Sequence, residues 1–213
     1  AQIDHWVVMY DVKEASSSAL GDWDMESWLN DKKWLKEQFP LINLPFLVEC
    51  GGESMDGKGS RPRVICQTNA ILSYLGRELN MMGTTKAEQS QCEELLCEIM
   101  DLRNLMVGFA YRGVETDASL LQQEAKELLK SAAHHFIRLE GYLQGQYPSA
   151  AQRRVSEEDA RMMTIGFAAE SVCHLLHGQF TAPDFHLYEM LDQFEGLCKA
   201  VNLPSCLGEA TTN

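Results

Sequence analysis

The stretch RPRVICQTNAILSYLGRELN, residues 61–80, decides how the first part of the chain folds. A short apolar run, Val64-Ile65-Cys66, breaks into the polar trio Gln67-Thr68-Asn69, and an apolar-periodic segment follows at once. β-branched side chains suit a pleated backbone, so residues 62–67 read as a strand. From Asn69 the period changes. Ile71, Leu72, Leu75 and Leu79 recur at helical spacing and fall on one face. A strand that ends in Gln-Thr-Asn and opens a helix presents free N–H groups at the positive helix end. Gln and Thr side chains add donors beside them, and together they suit a carboxylate. The plainer alternative is that Thr68 or Asn69 only caps the helix.

Immediately upstream, INLPFL (residues 42–47) puts a Pro at the entry of another strand-like run, residues 44–50. A cis Leu44–Pro45 bond would leave backbone N–H and C=O groups facing outward, where an extended peptide pairs as an added strand. A grip on a peptide backbone next to a receptor for a terminal carboxylate suits a short peptide such as glutathione. Further upstream, WVVMYDV (residues 6–12) reads as a strand, residues 16–24 as a loop and residues 51–60 as a protruding turn. Residues 24–39 carry Trp28, Leu29, Trp34 and Leu35 on a helical pattern.

After Gly83 only helices are expected. Thr85 and Glu88 have the spacing of a capping box. Cys92, Leu95, Leu96, Ile99, Met106, Val107 and Ala110 trace one face of a long helix. Asp117 opens another, with Leu121, Ala125, Leu128, Ala132, Phe136, Leu139 and Leu143 inward. Ser156 starts a third, stopped by Gly178, with Met162, Ile165, Ala169, Val172, Cys173 and Leu176 on one face. FTAPDFHLYEML (residues 180–191) opens the last helix. Thr181 is its cap, Asp184 its third residue, and Pro183 is tolerated in the first turn. The chain thus reads as a small α/β unit, residues 1–82, followed by an all-α unit, residues 83–213.

The bulk numbers bound the answer. A chain of 213 residues that is 45% hydrophobic supports one large core or two small ones. A net charge of -13 argues against general nucleic-acid binding. No apolar run reaches the length of a membrane span, which argues against an integral membrane protein. The seven Cys residues form no C-x-x-C and read as buried free thiols of a reducing compartment, cytoplasmic or an organelle interior. His134, His135, His174 and His177 lack a third ligand at metal-site spacing and read as solvent or core histidines, so no metal is expected. The opening Ala-Gln-Ile-Asp-His carries neither a signal-peptide pattern nor an initiating Met, and the chain is expected to be processed or incomplete at its start.

Five motifs, WLNDK, NLPFL, QTNAILSYLGRELN, MDLRN and TAPDF, resemble those of the glutathione transferase family, most closely its mu-like branch, in the same order and at similar spacing over residues 23–197. The resemblance implies a thioredoxin-like α/β domain, here incomplete, followed by an all-α helical domain, usually in a homodimer. Trp28 and Lys32 would hold the glycyl end of glutathione. Asn43 and Leu44 would meet its cysteinyl backbone, with Pro45 as the conformational lock. Gln67 and Thr68 would hold the γ-glutamyl end, and Asp101 would reach the γ-glutamyl amine across a dimer interface. Tyr111 lies where the family often has a second-substrate tyrosine. Read without the resemblance, Trp28 is a core residue, Lys32 a solvated charge and Asp101 a surface carboxylate.

The departures from the pattern matter as well. The family has a strand and a helix before WVVMYD, and the strand carries near its end a Tyr, Ser or Cys that stabilises the glutathione thiolate. Tyr10 is the nearest hydroxyl but falls on the following strand, so no catalytic residue is assigned. The sheet would also lack a central strand, and another chain or a longer sequence is expected to cover that edge. Some thirty residues, near 147–179, are inserted between EGYLQGQ and FTAPDF, and the chain stops before the family's usual last helix. An amphipathic insertion pads its own core or docks onto another protein. Two functions follow. One is an enzyme conjugating glutathione to an electrophile by thiolate attack. The other is a non-catalytic transferase-like subunit of a larger assembly.

Overall fold

A computed structural model describes residues 5, 7–14, 23–50, 62–112, 118–146, 174–176 and 179–205. The chain divides into two units, Ala1–Leu79 and Asn80–Asn213.

The first unit opens with a two-residue ribbon. Strand β1 (Lys13–Glu14) pairs antiparallel with β2 (Trp23–Asp24), Lys13 opposite Asp24. The expected strand over residues 6–12 does not form at its described positions, residues 7–12. Val7, Val8 and Met9 are at least three-quarters exposed. A β-rich sequence becomes a strand only through ladder bonds to a neighbour, and none is made by these residues. Trp23 and Asp24, expected in a loop, instead make up β2.

Helix α1 (Glu26–Gln38) follows at once. Asp24 supports its start, Oδ1 accepting the Glu26 N–H at 2.9 Å. Only half of the apolar pattern read for this helix faces inward. Trp28 and Leu35, two turns apart, are buried, while Leu29 and Trp34 are about half exposed. With Ile42 they make the core of the unit, closed by Tyr10, Phe39, Phe46, Val64 and Cys66.

Strand β3 (Phe46–Glu49) and strand β4 (Arg63–Cys66) form a second antiparallel ribbon in which Phe46 faces Cys66 and Glu49 faces Arg63. Helix α2 (Thr68–Glu78) starts two residues after β4. Ile71, Leu72, Leu75 and Leu79 are half-buried, and Gly76 is the buried residue of the helix.

Among the described residues the second unit holds three long helices: α3 (Lys86–Ala110), α4 (Ala118–Gln146) and α5 (Ala182–Ala200). The capping box expected for α3 is present. The Thr84 hydroxyl and the N–H groups of Thr84 and Thr85 donate to Glu88 Oε2 at 2.8, 2.6 and 2.8 Å, and the Glu88 N–H donates to Thr85 Oγ1 at 3.2 Å. The Thr84 hydroxyl first, then the two N–H groups, draw the Glu88 carboxyl down to about 2. Gly83 makes this close approach possible, with a φ of 78° and room that a Cβ would lose, 2.4 Å from Glu88 Cβ.

The buried face of α3 is Cys92, Leu95, Leu96, Ile99, Leu102 and Phe109. The expected face drifts from this in the last turns. Met106 and Val107 are half-buried and Ala110 is exposed. A period of 3.6 carried over 25 residues accumulates an angular error that only the packed neighbours resolve. On α4 the inward set is as read, Ala125 to Leu143, with Leu121 half-buried and His135 added. Asp117 lies outside the described residues.

Helix α5 contributes Leu187, Met190, Phe194 and Cys198 to the same core, with Phe194 edge-on to Phe136 at 5.3 Å. Asp184 anchors its start. Oδ2 accepts the Thr181 N–H and hydroxyl, and Oδ1 accepts the Leu175 N–H, all at 2.7 Å. The Ala182 N–H bonds to the Met81 carbonyl at 2.8 Å, fixing α5 to the residues just before α3. Helices α2 and α5 end alike, Asn80 and Asn202 following with left-handed φ of 58° and 54°.

Most of the 147–179 insertion, residues 147–173 and 177–178, lies outside the described residues, and with it most of the helix expected over residues 156–177. Residues 174–176 of that helix are described and are not helical: Leu176 instead makes an isolated antiparallel bridge with Gln179, which corrects the expected helical end. Among the described cysteines, Cys92 and Cys198 are buried and Cys66 is half-buried. Cys50 and Cys97 are exposed, which corrects the uniformly buried reading. No described helix is long and apolar enough to cross a membrane.

Candidate functional site

The register of the second ribbon assembles the candidate site. Because Phe46 opens β3 and faces Cys66, which closes β4, the residues just outside that pair meet at one end of the ribbon. These are Asn43, Leu44 and Pro45 on one side and Gln67 and Thr68 on the other. The Leu44–Pro45 bond is cis. Asn43, Leu44, Pro45 and Gln67 are exposed and Thr68 is half-buried. Two segments separated by more than twenty residues of sequence thus share one small surface.

Gln67 is the N-cap residue of α2, with φ of 76° and ψ of 124°, and its side chain makes no capping hydrogen bond. Thr68 and Asn69 are the first two helical residues, so the N-cap position falls on Gln67 and not on either residue of the plain capping alternative. A positive φ on a residue with a Cβ costs roughly 1–3 kcal/mol and persists only where the surroundings impose it. Such outliers concentrate at ligand clamps and turns that must aim backbone donors. Here the strain sits where the chain changes from β4 to α2, at the positive end of the helix.

The same core places Trp28 and Lys32. Trp28 is 6% exposed, stacked on Phe46 at 6.3 Å and edge-on to Tyr10 at 5.1 Å. The Lys32 Nζ lies over the Trp28 ring, 5.7 Å from its centroid. Trp28 is therefore a core residue whose ring carries Lys32, one turn on, and stacks on the first residue of β3. The chain Lys32–Trp28–Phe46 leads to the end of the ribbon where Pro45 and Gln67 meet.

Two features of this unit are not legible in the sequence. The Tyr10 hydroxyl donates to Asp31 Oδ2 at 2.9 Å, and the Trp34 Nε1–H donates to Asp31 Oδ1 at 3.4 Å. Burial and then the Asp31 carboxylate push the Tyr10 phenol up. The guanidinium of Arg63 lies over the Tyr74 ring at 5.2 Å and reaches Glu49 at 3.6 Å. Both join residues of different elements, so both depend on packing and register.

Asp101 and Tyr111 belong to the second unit. Asp101 is exposed on α3, and Tyr111 is its C-cap residue, 87% exposed. His174 rests against Phe180 at 4.1 Å, and His134 against His135. His135 Nδ1 lies 2.7 Å from Glu98. Among the described residues no three or more His, Cys, Asp or Glu side chains gather as a metal site.

Comparison with known proteins points one way. The chain is 36% identical over 102 residues to glutathione S-transferase Mu 6 of Mus musculus, a match covering 48% of this chain and 41% of that protein. It is 32% identical over 132 residues to glutathione S-transferase Mu 4 of Homo sapiens, covering 62% of this chain and 53% of that protein. Glutathione S-transferase Mu 5 of Rattus norvegicus matches at 36% over 102 residues, 48% of this chain and 40% of that protein. The chain spans about half the length of the curated relatives it matches. No family model matches the chain, and no solved structure matches it significantly.

Proposed function

From this relationship to the mu-class glutathione S-transferases, whose fold pairs a thioredoxin-like α/β domain with an all-α helical domain, we propose that the chain binds glutathione at the end of the β3–β4 ribbon. Gln67 and Thr68 take the γ-glutamyl end, where α2 offers its positive terminus. Asn43 and Leu44, before Pro45, meet the cysteinyl backbone as an added strand would. Lys32, carried on the Trp28 ring, takes the glycyl carboxylate. The observation that supports this most is Gln67, an exposed residue held at φ 76° at the start of α2, its side chain making no capping bond. A residue serving only as a helix cap needs no such backbone.

The proposed activity of the whole protein is conjugation. The glutathione sulfur, as thiolate, attacks an electrophilic carbon, a C–S bond forms, the leaving group departs with its electron pair, and the thiol proton passes to solvent. The protein supplies binding, orientation and thiol activation. Tyr10 is not proposed as the activating group, because its hydrogen is already given to Asp31. Asp101 is proposed to reach the γ-glutamyl amine of a partner's ligand in a homodimer, and Tyr111 to face the second substrate. Free thiols, exposed ones included, fit a reducing compartment.

Retention on immobilised glutathione, followed by turnover of an electrophilic aryl halide, tests this reading. Wild-type chain is retained and the Gln67→Ala, Thr68→Ala double variant is not. Equal retention of both would show the site to be misplaced. Retention without turnover would favour the non-catalytic scaffold.

A further inference from the structure

The second unit holds a cavity of about 370 Å³ lined by Leu143 near the end of α4, one face of α5, and His174, Leu175 and Phe180. Cavities of this size accommodate small ligands. Its walls are apolar, Leu143, Leu175, Leu187 and Leu191, with Phe180 and Tyr188 at the mouth, both more than half exposed. Asp184, Leu187, Tyr188, Leu191, Asp192 and Glu195 follow one another at spacings of three, one, three, one and three, so a single stripe of α5 supplies most of the lining. Leu187 sits at the buried edge of that stripe, while Tyr188 and Asp192 are exposed; the core-facing residues Met190, Phe194 and Cys198 are not among the lining.

The charge of the lining is one-sided. Among the described residues that line the cavity, three are carboxylates, Asp184, Asp192 and Glu195, and none is Lys or Arg. The three are differently placed. Asp184 is committed to the helix start through three short bonds. Glu195 has a side chain only 16% exposed, and meets the Ser205 hydroxyl at 2.7 Å and the exposed Lys199 at 3.6 Å. Asp192 is exposed beside it, one turn back on the stripe. An anion entering here meets repulsion at close range in a partly desolvated place. A cation meets carboxylates, and the negative faces of Phe180 and Tyr188 attract it as well. The leucines in turn favour an apolar body.

We propose that this cavity binds a small organic cation with an apolar body, a quaternary or protonated amine or an onium ion carrying rings or a short alkyl chain. None of the residues proposed for glutathione or its second substrate is among the described residues that line this cavity. Charge and shape select together, the leucine walls taking the body and Asp192 with Glu195 taking the charge.

Tetraphenylphosphonium and tetraphenylborate, alike in size and opposite in charge, test this by titration calorimetry on the full chain. The cation binds at one site per chain, and the borate at least about tenfold more weakly. The Asp192→Asn, Glu195→Gln double variant, with its far-UV circular dichroism unchanged, reduces that preference to about threefold or less. Tyr188→Ala, at an exposed position, weakens the cation by about threefold or more through its lost aromatic face. Equal binding of the two probes by the wild type would overturn the proposal, as would a preference that survives the double variant or a cation affinity untouched by Tyr188→Ala.

Discussion

Replacing His186 by Phe should remove a large part of the acid sensitivity of the helical unit. His186 lies on α5, 4% exposed, and neither ring nitrogen has a hydrogen-bond partner among the described residues. Burial first, and then the charge of Arg103 on α3, hold its pKa at about 4, while Glu189 on α5 pulls weakly the other way. In the unfolded chain the ring titrates near its ordinary value of about 6.5. The folded pKa is thus depressed. Stability is full above about 6.5 and is lost as the pH falls towards the folded value, because in that window the unfolded chain binds the extra proton. Each pH unit of the window is worth about 1.4 kcal/mol, so by pH 4.5 the loss from this one side chain reaches about 2–3 kcal/mol. Phe is close in volume and has no proton to bind. It shifts stability by a packing offset that is the same at every pH. Urea unfolding of both proteins, followed by circular dichroism from pH 7.5 to 4.5, isolates the term, since every other titrating group cancels in the difference. The advantage of the variant should grow by about 2–3 kcal/mol across that range. Parallel stability curves would show that His186 is protonated, or solvated, inside the fold, and the reasoning from its burial would fail.

The remaining outcomes are more local. Gln67→Gly relieves a backbone that a Cβ resists, and should stabilise the first unit by up to about 1–2 kcal/mol in urea melts after the entropy of Gly is subtracted, while weakening glutathione retention through loss of the side chain. A destabilised Gln67→Gly variant would show that φ at this junction carries no strain. Asp184→Ala strands the N–H groups of Thr181 and Leu175 at once, and should cost the helical unit about 2–3 kcal/mol, read as a lowered urea midpoint. Asp184→Asn keeps an acceptor and should cost visibly less.

Much of the organisation is legible in the order of residues alone. The capping box of Thr85 and Glu88 and the Asp184 anchor at the head of α5 stand where the sequence places them, since each is closed by residues three positions apart. The inward stripe of α4 is also as read, because a single uninterrupted period runs through it. Where the reading fails, the missing information is a neighbour. Residues 7–12 have strand-like side chains and no described ladder partner. Leu29 and Trp34 are apolar and lie on the outer side of α1. Met106, Val107 and Ala110 lose the face of α3 to Leu102 and Phe109. The candidate site divides along the same line. Its residue types are visible as QTN and NLP, but the burial of Trp28 beneath Lys32 and the engagement of Tyr10 by Asp31 are not.

The sequence by itself determined the helix starts, the helical stripes and the change from mixed to all-helical texture, because these rest on forces acting within a few residues. The tertiary structure alone decided that Asn43, Leu44 and Pro45 stand beside Gln67 and Thr68, that Gln67 is held in a backbone conformation its side chain resists, and that His186 is buried within reach of the charge of Arg103. Strand register and helix packing set these, and both are fixed by contacts between residues far apart along the chain, whose free energy appears only once the core has closed.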